Sequence, residues 1–173
     1  GSNALRWCYA GETVVFENCV FSGDLYGVHF DGGANDILFK NCTFSGFNAF
    51  PGAVTQITFD GCKFVANGKS GYNGANLWGK TTMTGCEFIF DGKASTEWIG
   101  LNATQSGKEI TLTGCSVKDA EGNVVEMAQY FKNFNNGAVV TVDGVELTLV
   151  KNGEGLASAF AAKAANIILM PGT

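Results

Sequence analysis

The sequence predicts an all-β solenoid of about six coils, closed at its C-terminal end by a helix and a short strand. Three observations point there. First, a hexapeptide recurs: Phe16-Glu17-Asn18-Cys19-Val20-Phe21 returns as Phe39-Lys40-Asn41-Cys42-Thr43-Phe44 and as Phe59-Asp60-Gly61-Cys62-Lys63-Phe64. Weaker copies follow at Met83-Thr84-Gly85-Cys86-Glu87-Phe88 and Leu112-Thr113-Gly114-Cys115-Ser116-Val117. Second, the residue before each of these cysteines is Asn or Gly, the types that most readily accept positive φ. A bend there lets the residue three before the cysteine, the cysteine itself and the residue two after it all point inward, which strict alternation would forbid. Third, the copies recur roughly every 20 to 30 residues, the period of a solenoid whose repeat is one coil.

Each coil reads as three short strands, two from the Cys motif and one preceding it. Leu5 to Ala10 is the first such strand, with Cys8 inward. Leu25-Tyr26-Gly27-Val28-His29-Phe30 is the second, and Phe50-Pro51-Gly52 holds the irregular third place, where proline suits a bend better than a central ladder. Gly74-Ala75-Asn76-Leu77-Trp78 and Trp98-Ile99-Gly100-Leu101-Asn102 follow in the fourth and fifth coils. A sixth copy is read at Thr141-Val142-Asp143-Gly144-Val145-Glu146-Leu147, with valine in the cysteine's place, which points to a packing role for the thiols. Like residues then stack on like: Phe21, Phe44, Phe64 and Phe88 form one column, continued by Val117 and Leu147.

The remaining segments follow by their own periods. Gly1-Ser2-Asn3-Ala4 reads as an expression scar and is set apart from residues 5–150, the solenoid. Residues 118–139 leave two readings open. Val124, Met127, Ala128 and Phe131 make a helix face, while Val125 and Met127 equally line a strand. In residues 151–173, Leu156, Ala157, Phe160, Ala161 and Ala164 recur at helical spacing. Glu154 near the start and Lys163 near the end agree with the helix dipole. Ile167-Ile168-Leu169-Met170 is a short strand stopped by Pro171-Gly172. This segment caps the solenoid, opens another module, or joins a second chain by exchange.

Composition bounds the function. Fourteen Phe and 24 Gly against 16% charged residues, in a chain of 173, describe a folded domain rich in tight turns. A net charge of -5 with Arg6 as the one arginine gives no footprint for nucleic acid. No apolar run approaches the length of a membrane span. Six cysteines ordinarily suggest disulfides. Here five fall at equivalent places in successive coils, stacked about 4.8 Å apart with parallel side chains, whereas a bridge needs side chains that face each other. The expectation is reduced thiols acting as small apolar core residues.

With the repeats laid out, the Phe-x-Asn-Cys-x-Phe copies resemble the right-handed single-stranded parallel β-helix, the pectate-lyase-like fold of many secreted bacterial proteins. The segment from Gly155 to Thr173 also looks like the helix and Ile-x-Leu-x-Pro-Gly-Thr strand that commonly open such a domain, and its place at the end departs from that pattern. The resemblance implies an extracellular or cell-surface location. It admits polysaccharide lyases and glycoside hydrolases as well as noncatalytic surface and adhesion modules. Lyases of this type use clustered acids for calcium and a basic proton abstractor, and no coil here presents that cluster with a lysine at its centre.

Alternation turns His29 and Asp31 outward if Val28 and Phe30 face in. It does the same for Asn76 and Trp78 in the fourth coil, and for Trp98 and Asn102 in the fifth. Aromatic faces beside amides on a shallow sheet suit a sugar chain, and a polysaccharide or cell-wall glycan is the expected partner. The competing reading packs Trp78 and Trp98 under the turns at Gly71-Tyr72-Asn73 and Ala94-Ser95-Thr96 as satellite core. The enzymatic alternative uses His29, Asp31 and Glu97 as acid and base groups. Asp24, Asp31 and Asp36 match no calcium loop, the cysteines with one His form no zinc set, and no cofactor or metal is expected. Asn41-Cys42-Thr43 and Asn102-Ala103-Thr104 match glycosylation acceptors, the first inside a core motif.

Overall fold

A computed structural model describes residues 3–7, 13–23, 26–30, 36–45, 47–49, 56–65, 75–78, 80–89, 99–102, 110–132 and 137–170. The first coil contains β1 (Asn3–Trp7), β2 (Val14–Glu17) and β3 (Val20–Ser22). Next come β4 (Tyr26–Phe30), β5 (Asp36–Lys40), β6 (Thr43–Ser45) and β7 (Phe47–Ala49), then β8 (Gln56–Asp60), β9 (Lys63–Val65) and β10 (Ala75–Trp78). They are followed by β11 (Thr81–Thr84), β12 (Glu87–Ile89), β13 (Ile99–Asn102), β14 (Ile110–Thr113) and β15 (Ser116–Lys118). The C-terminal part holds β16 (Val124–Val125), a 3-10 turn (Met127–Tyr130), β17 (Phe131–Lys132), β18 (Ala138–Val142), β19 (Val145–Val150), α1 (Gly153–Ala161) and β20 (Ile167–Leu169).

These strands build three sheets that wall a tube. The first runs β1-β4-β7-β10-β13-β17, the second β2-β5-β8-β11-β14-β18-β19-β20, and the third β16-β15-β12-β9-β6-β3. Each strand of the regular coils pairs in parallel with its equivalent one coil on, which satisfies the backbone without long crossovers. Four complete coils, β2–β4 to β11–β13, are followed by an irregular fifth, fewer than the six the repeats suggested. In the third place of the second full coil the strand is β7 at Phe47–Ala49, ahead of Phe50-Pro51-Gly52, which lies outside the described residues, as does Cys8.

The bend before each cysteine is where the sequence put it. Asn18, Asn41, Gly61, Gly85 and Gly114 have φ of 55°, 51°, 62°, 59° and 60°. The bends lock the coils together: Asn41 N–H donates to the Asp60 carbonyl at 2.8 Å, and Gly61 N–H to Thr84 at 2.9 Å. Cysteine then points inward. Cys42, Cys62 and Cys86 are fully buried, and all five described cysteines are free thiols. Each donates its thiol to backbone carbonyls, Cys62 to Phe39 at 3.4 Å and Asp60 at 3.5 Å. Hydrogen bonds with the thiols of Cys115 and Cys62, reinforced by burial, push the Cys86 thiol well up. The half-buried Cys115 is lowered to about 7, chiefly by its hydrogen bond with Cys86.

Two phenylalanine columns fill the interior. Phe21, Phe44, Phe64 and Phe88 are in register, with stacked rings 5.4, 5.1 and 5.1 Å apart. Phe16, Phe39 and Phe59 stack alongside at 5.1 and 5.4 Å. The columns meet edge to face, Phe39 on Phe44 at 5.0 Å and 89°, the arrangement aromatic quadrupoles favour. The first column passes from Phe88 to Val117 and then to Val125, not to Leu147 as the sixth copy implied.

That departure has a local cause. Asp143 and Gly144 have φ of 48° and 79°, so the sixth copy is a two-residue hairpin joining antiparallel β18 and β19. Leu147 therefore pairs with Val140, and Val145, read as a stand-in for cysteine, lies exposed beside Val142. The packing role of the thiols rests instead on their burial. Residues 118–139 divide between the two readings: β16 turns back on β15 through an Asp119 turn, and Met127 opens a 3-10 turn where a longer helix was one option.

At the C-terminal end Asn152 caps α1, its side chain accepting from Gly155 N–H at 2.9 Å, with Glu154 in the first turn. The helix buries Gly155 and Ala159, not the expected stripe, and Phe160 is 65% exposed with Ala157 and Ala161 also in solvent. Small residues win because they let the helix lie close to the strand beneath. Lys163 falls beyond the helix at φ 55°, so no basic residue occupies the last turn. β20 then pairs in parallel with β19 as the last strand of the second sheet. Among the described residues no helix is long and apolar enough to cross a membrane.

Candidate functional site

Strand pairing in the first sheet places some of the residues that the sequence singled out in register with others that it did not. Register aligns Arg6, His29, Asn48, Asn76, Gly100 and Lys132 in one row across all six strands. One position over along the strand direction, two residues on, Trp78 is paired with Asn102. The neighbouring row, Leu5, Val28, Phe47, Ala75, Ile99 and Phe131, is the one that alternation sends to the core, and Val28 and Phe131 are buried. Rungs about 4.8 Å apart and alternate residues about 6.6 Å apart make this a flat grid of regularly spaced positions.

Asn76, Trp78 and Asn102 thus share one corner of the grid, with Gly100 between Asn76 and Lys132 leaving a rung without a side chain. Arg6, Asn48, Gly100 and Lys132 were not singled out from the sequence. Their strands carry no Cys motif, and only counting rungs across coils would have aligned them. Trp98, Asp31 and Glu97 lie outside the described residues. Asp24 lies outside them as well, and among the described residues no group of three or more His, Cys, Asp or Glu is placed to hold a metal ion.

His29 departs from the expectation of a freely exposed outward residue. It stands in the outward row, yet only 8% of it reaches solvent. Its register partners on the two neighbouring strands are Arg6 and Asn48.

The other two faces differ in chemistry. The second sheet presents a row of Thr58, Thr82, Thr111 and Thr141, residues whose branched side chains suit a pleated surface. The third sheet carries its own ion ladder: Glu87 accepts from Lys118 at 2.7 Å and lies 3.5 Å from Lys63. The hydrogen bond from Lys118 and the two ammonium charges hold the Glu87 carboxyl below its usual range. A cavity of about 510 Å³ lies between α1 and the β18–β19 hairpin, lined by Val139, Thr148, Ala159 and Lys163 among others. Only the first sheet combines basic, amide and aromatic positions without a carboxylate in its described row.

Comparison with known proteins adds a family and no individual relative. No curated protein and no solved structure matches the chain. Residues 7–152 match the model of the right-handed β-helix region, the stretch that contains the Cys bends, the phenylalanine columns and the parallel rungs. The chain belongs to the right-handed β-helix family.

Proposed function

We propose that the chain is a noncatalytic module of a secreted or cell-surface protein, and that it binds a polysaccharide along the outer side of its first sheet. The observation that carries this reading is the row of Arg6, His29, Asn48, Asn76 and Lys132 beside Trp78 and Asn102. An extended ligand meets repeated positions on a straight row, as a sugar chain presents repeated hydroxyls. Amides hydrogen-bond hydroxyls, and an indole offers an apolar face to a pyranose ring. Two cationic residues, Arg6 and Lys132, and no carboxylate in the row favour a chain that carries carboxylates. The near-complete covering of His29 supports positioning over proton transfer, the role the enzymatic alternative gives it.

Calorimetric titration against neutral and uronate-containing polysaccharides tests the reading. Binding is expected, stronger to the acidic chains. The Trp78→Ala/Asn102→Ala double variant should weaken it at least tenfold, about 1.4 kcal/mol, without release of reducing ends or unsaturated products. Undiminished binding by the variant removes the platform. Released products would transfer the assignment to a lyase or hydrolase.

A further inference from the structure

The outer side of the second sheet carries a pattern in two dimensions. Thr58, Thr82, Thr111 and Thr141 occupy one row on successive rungs. Two residues on along the strands, Thr84 and Thr113 stand in a second row after Asp60. Between the rows Phe59, Met83 and Leu112 point into the core and are 0% exposed, so alternation turns both rows outward. The second row is exposed and the first half-buried. Thr82-Met83-Thr84 and Thr111-Leu112-Thr113 therefore set four threonines at the corners of a near-rectangle. Its steps are about 4.8 Å from rung to rung and about 6.6 Å along a strand.

A preference for branched side chains on a pleated surface asks for valine or isoleucine as readily as for threonine. Cross-strand hydrogen bonds between hydroxyls are a further reason to find threonine in a ladder. They are not made here. Among the described residues the hydroxyls of Thr82, Thr84, Thr111 and Thr113 have no partner within the protein, whereas that of Thr58 accepts from Gln56 Nε2 at 3.5 Å. Each of the four thus presents a donor and an acceptor outward, beside a methyl group that restricts the orientation of the water next to it. The backbone beneath is fixed. Strands pair on both sides of β11 and β14, and the carbonyls of Thr84 and Thr113 accept from Gly61 and Gly85 N–H, each at 2.9 Å.

A partner that matches this face repeats in both directions and offers neutral hydrogen-bonding groups. A single sugar chain repeats along one line only, and the four corners include no aromatic ring to carry one. A mineral or a polyelectrolyte calls for charge, which the corners lack. Ice meets both conditions, because its prism faces present water oxygens in a rectangular net with steps close to those of the four threonines. We propose that the outer side of the second sheet binds ice, with Thr82, Thr84, Thr111 and Thr113 holding the first layer of water in the order of the crystal. Thr58 and Thr141 extend the net by a rung on either side. Asp60, paired in register with Lys40, brings charge and bounds it. The face is separate from the row on the first sheet and does not depend on what that row binds.

Growth of a single ice crystal in a nanolitre drop of concentrated protein tests the proposal. The unaltered protein should facet the crystal and hold its freezing point below its melting point. Thr84→Lys/Thr113→Lys, at exposed positions, should abolish both effects with an unchanged circular dichroism spectrum, and Thr113→Lys alone serves if the pair fails to fold. Trp78→Ala/Asn102→Ala, on the first sheet, should leave both effects intact. Round crystals with no gap between melting and freezing overturn the proposal, as does a gap that survives the lysines. Retention on crystalline cellulose or chitin that the lysines remove, with no effect on ice, would give the face to another hydroxylated solid and overturn it as well.

Discussion

Asp60-Gly61 in the middle of the tube and Asp143-Gly144 near its end are the same dipeptide in similar surroundings, and the chain does opposite things there. At the first, Gly61 alone has positive φ, its N–H donates to Thr84 of the next coil, and Cys62 turns into the core. At the second, both residues have positive φ, Val145 pairs back onto Val142, and the strand reverses. The difference lies in the strand on the C-terminal side. Residues 81–84 supply a parallel rung for the middle bend to lean on, whereas β19 folds back and supplies none. Gly114 shows the boundary: where earlier bends donate to a carbonyl of the next coil, its N–H donates to the Asp143 carboxylate at 2.6 Å. A bend residue permits either outcome, and the neighbouring coil selects one.

The largest test of this contrast compares rings at the middle and the edge of one column. Phe64 is fully buried between Phe44 and Phe88, and Phe21 is half-covered with a stacked partner on one side. Phe64→Ala should cost about 3 to 5 kcal/mol in urea unfolding, and Phe21→Ala about half that. Equal losses would mean that the first coil is as closed as the middle ones.

How much of this was legible depends on which contacts are local. The bends, the buried cysteines and the register of Phe21, Phe44, Phe64 and Phe88 were all readable, because each copy of the motif carries its own turn residue and its own apolar positions. The row on the first sheet was readable only at Asn76, Trp78, Asn102 and His29, whose strands show alternation. β1, β7 and β17 supply Arg6, Asn48 and Lys132 from segments whose place in the row is fixed by pairing with other coils. The burial of His29 likewise leaves no trace in Val28-His29-Phe30 itself. At the C-terminal end, helical periodicity marked α1 correctly and its buried side wrongly. Apolarity ranked Phe160 over Gly155 and Ala159, while close approach to the strand required the smaller residues.

Glycine substitutions separate backbone strain from crowding at the bends. Gly61→Ala and Gly85→Ala each place a Cβ at positive φ, a cost of about 1 to 2 kcal/mol. At Gly85 nothing lies within 4 Å of that Cβ, but at Gly61 it would meet Asn41 Oδ1 at 2.7 Å. Gly61→Ala should therefore lose more in the same unfolding assay, and Asn41→Gly should bring it back toward the Gly85 value. If the two alanines cost the same, Asn41 yields freely and the bends are independent of one another.

The smallest effect expected belongs to the ion ladder on the third sheet, which tests whether outer contacts between coils match the inner ones. Glu87 is held by Lys118 and Lys63 from the coils on either side, and its carboxyl lies below the ordinary glutamate range in the folded protein. A depressed folded value means that this stabilisation is present above the unfolded glutamate value and is lost as pH falls through the lower folded one. Exposed pairs of this kind are worth up to about 1 kcal/mol. Glu87→Gln should lower stability at pH 7 by that amount, converge with the unaltered protein at acid pH, and lose its effect in high salt. Urea midpoints across pH would show it. A difference that persists after the carboxyl is protonated would assign the role of Glu87 to packing along the rungs, and the outer ladder would then work as the inner columns do, by contact and not by charge.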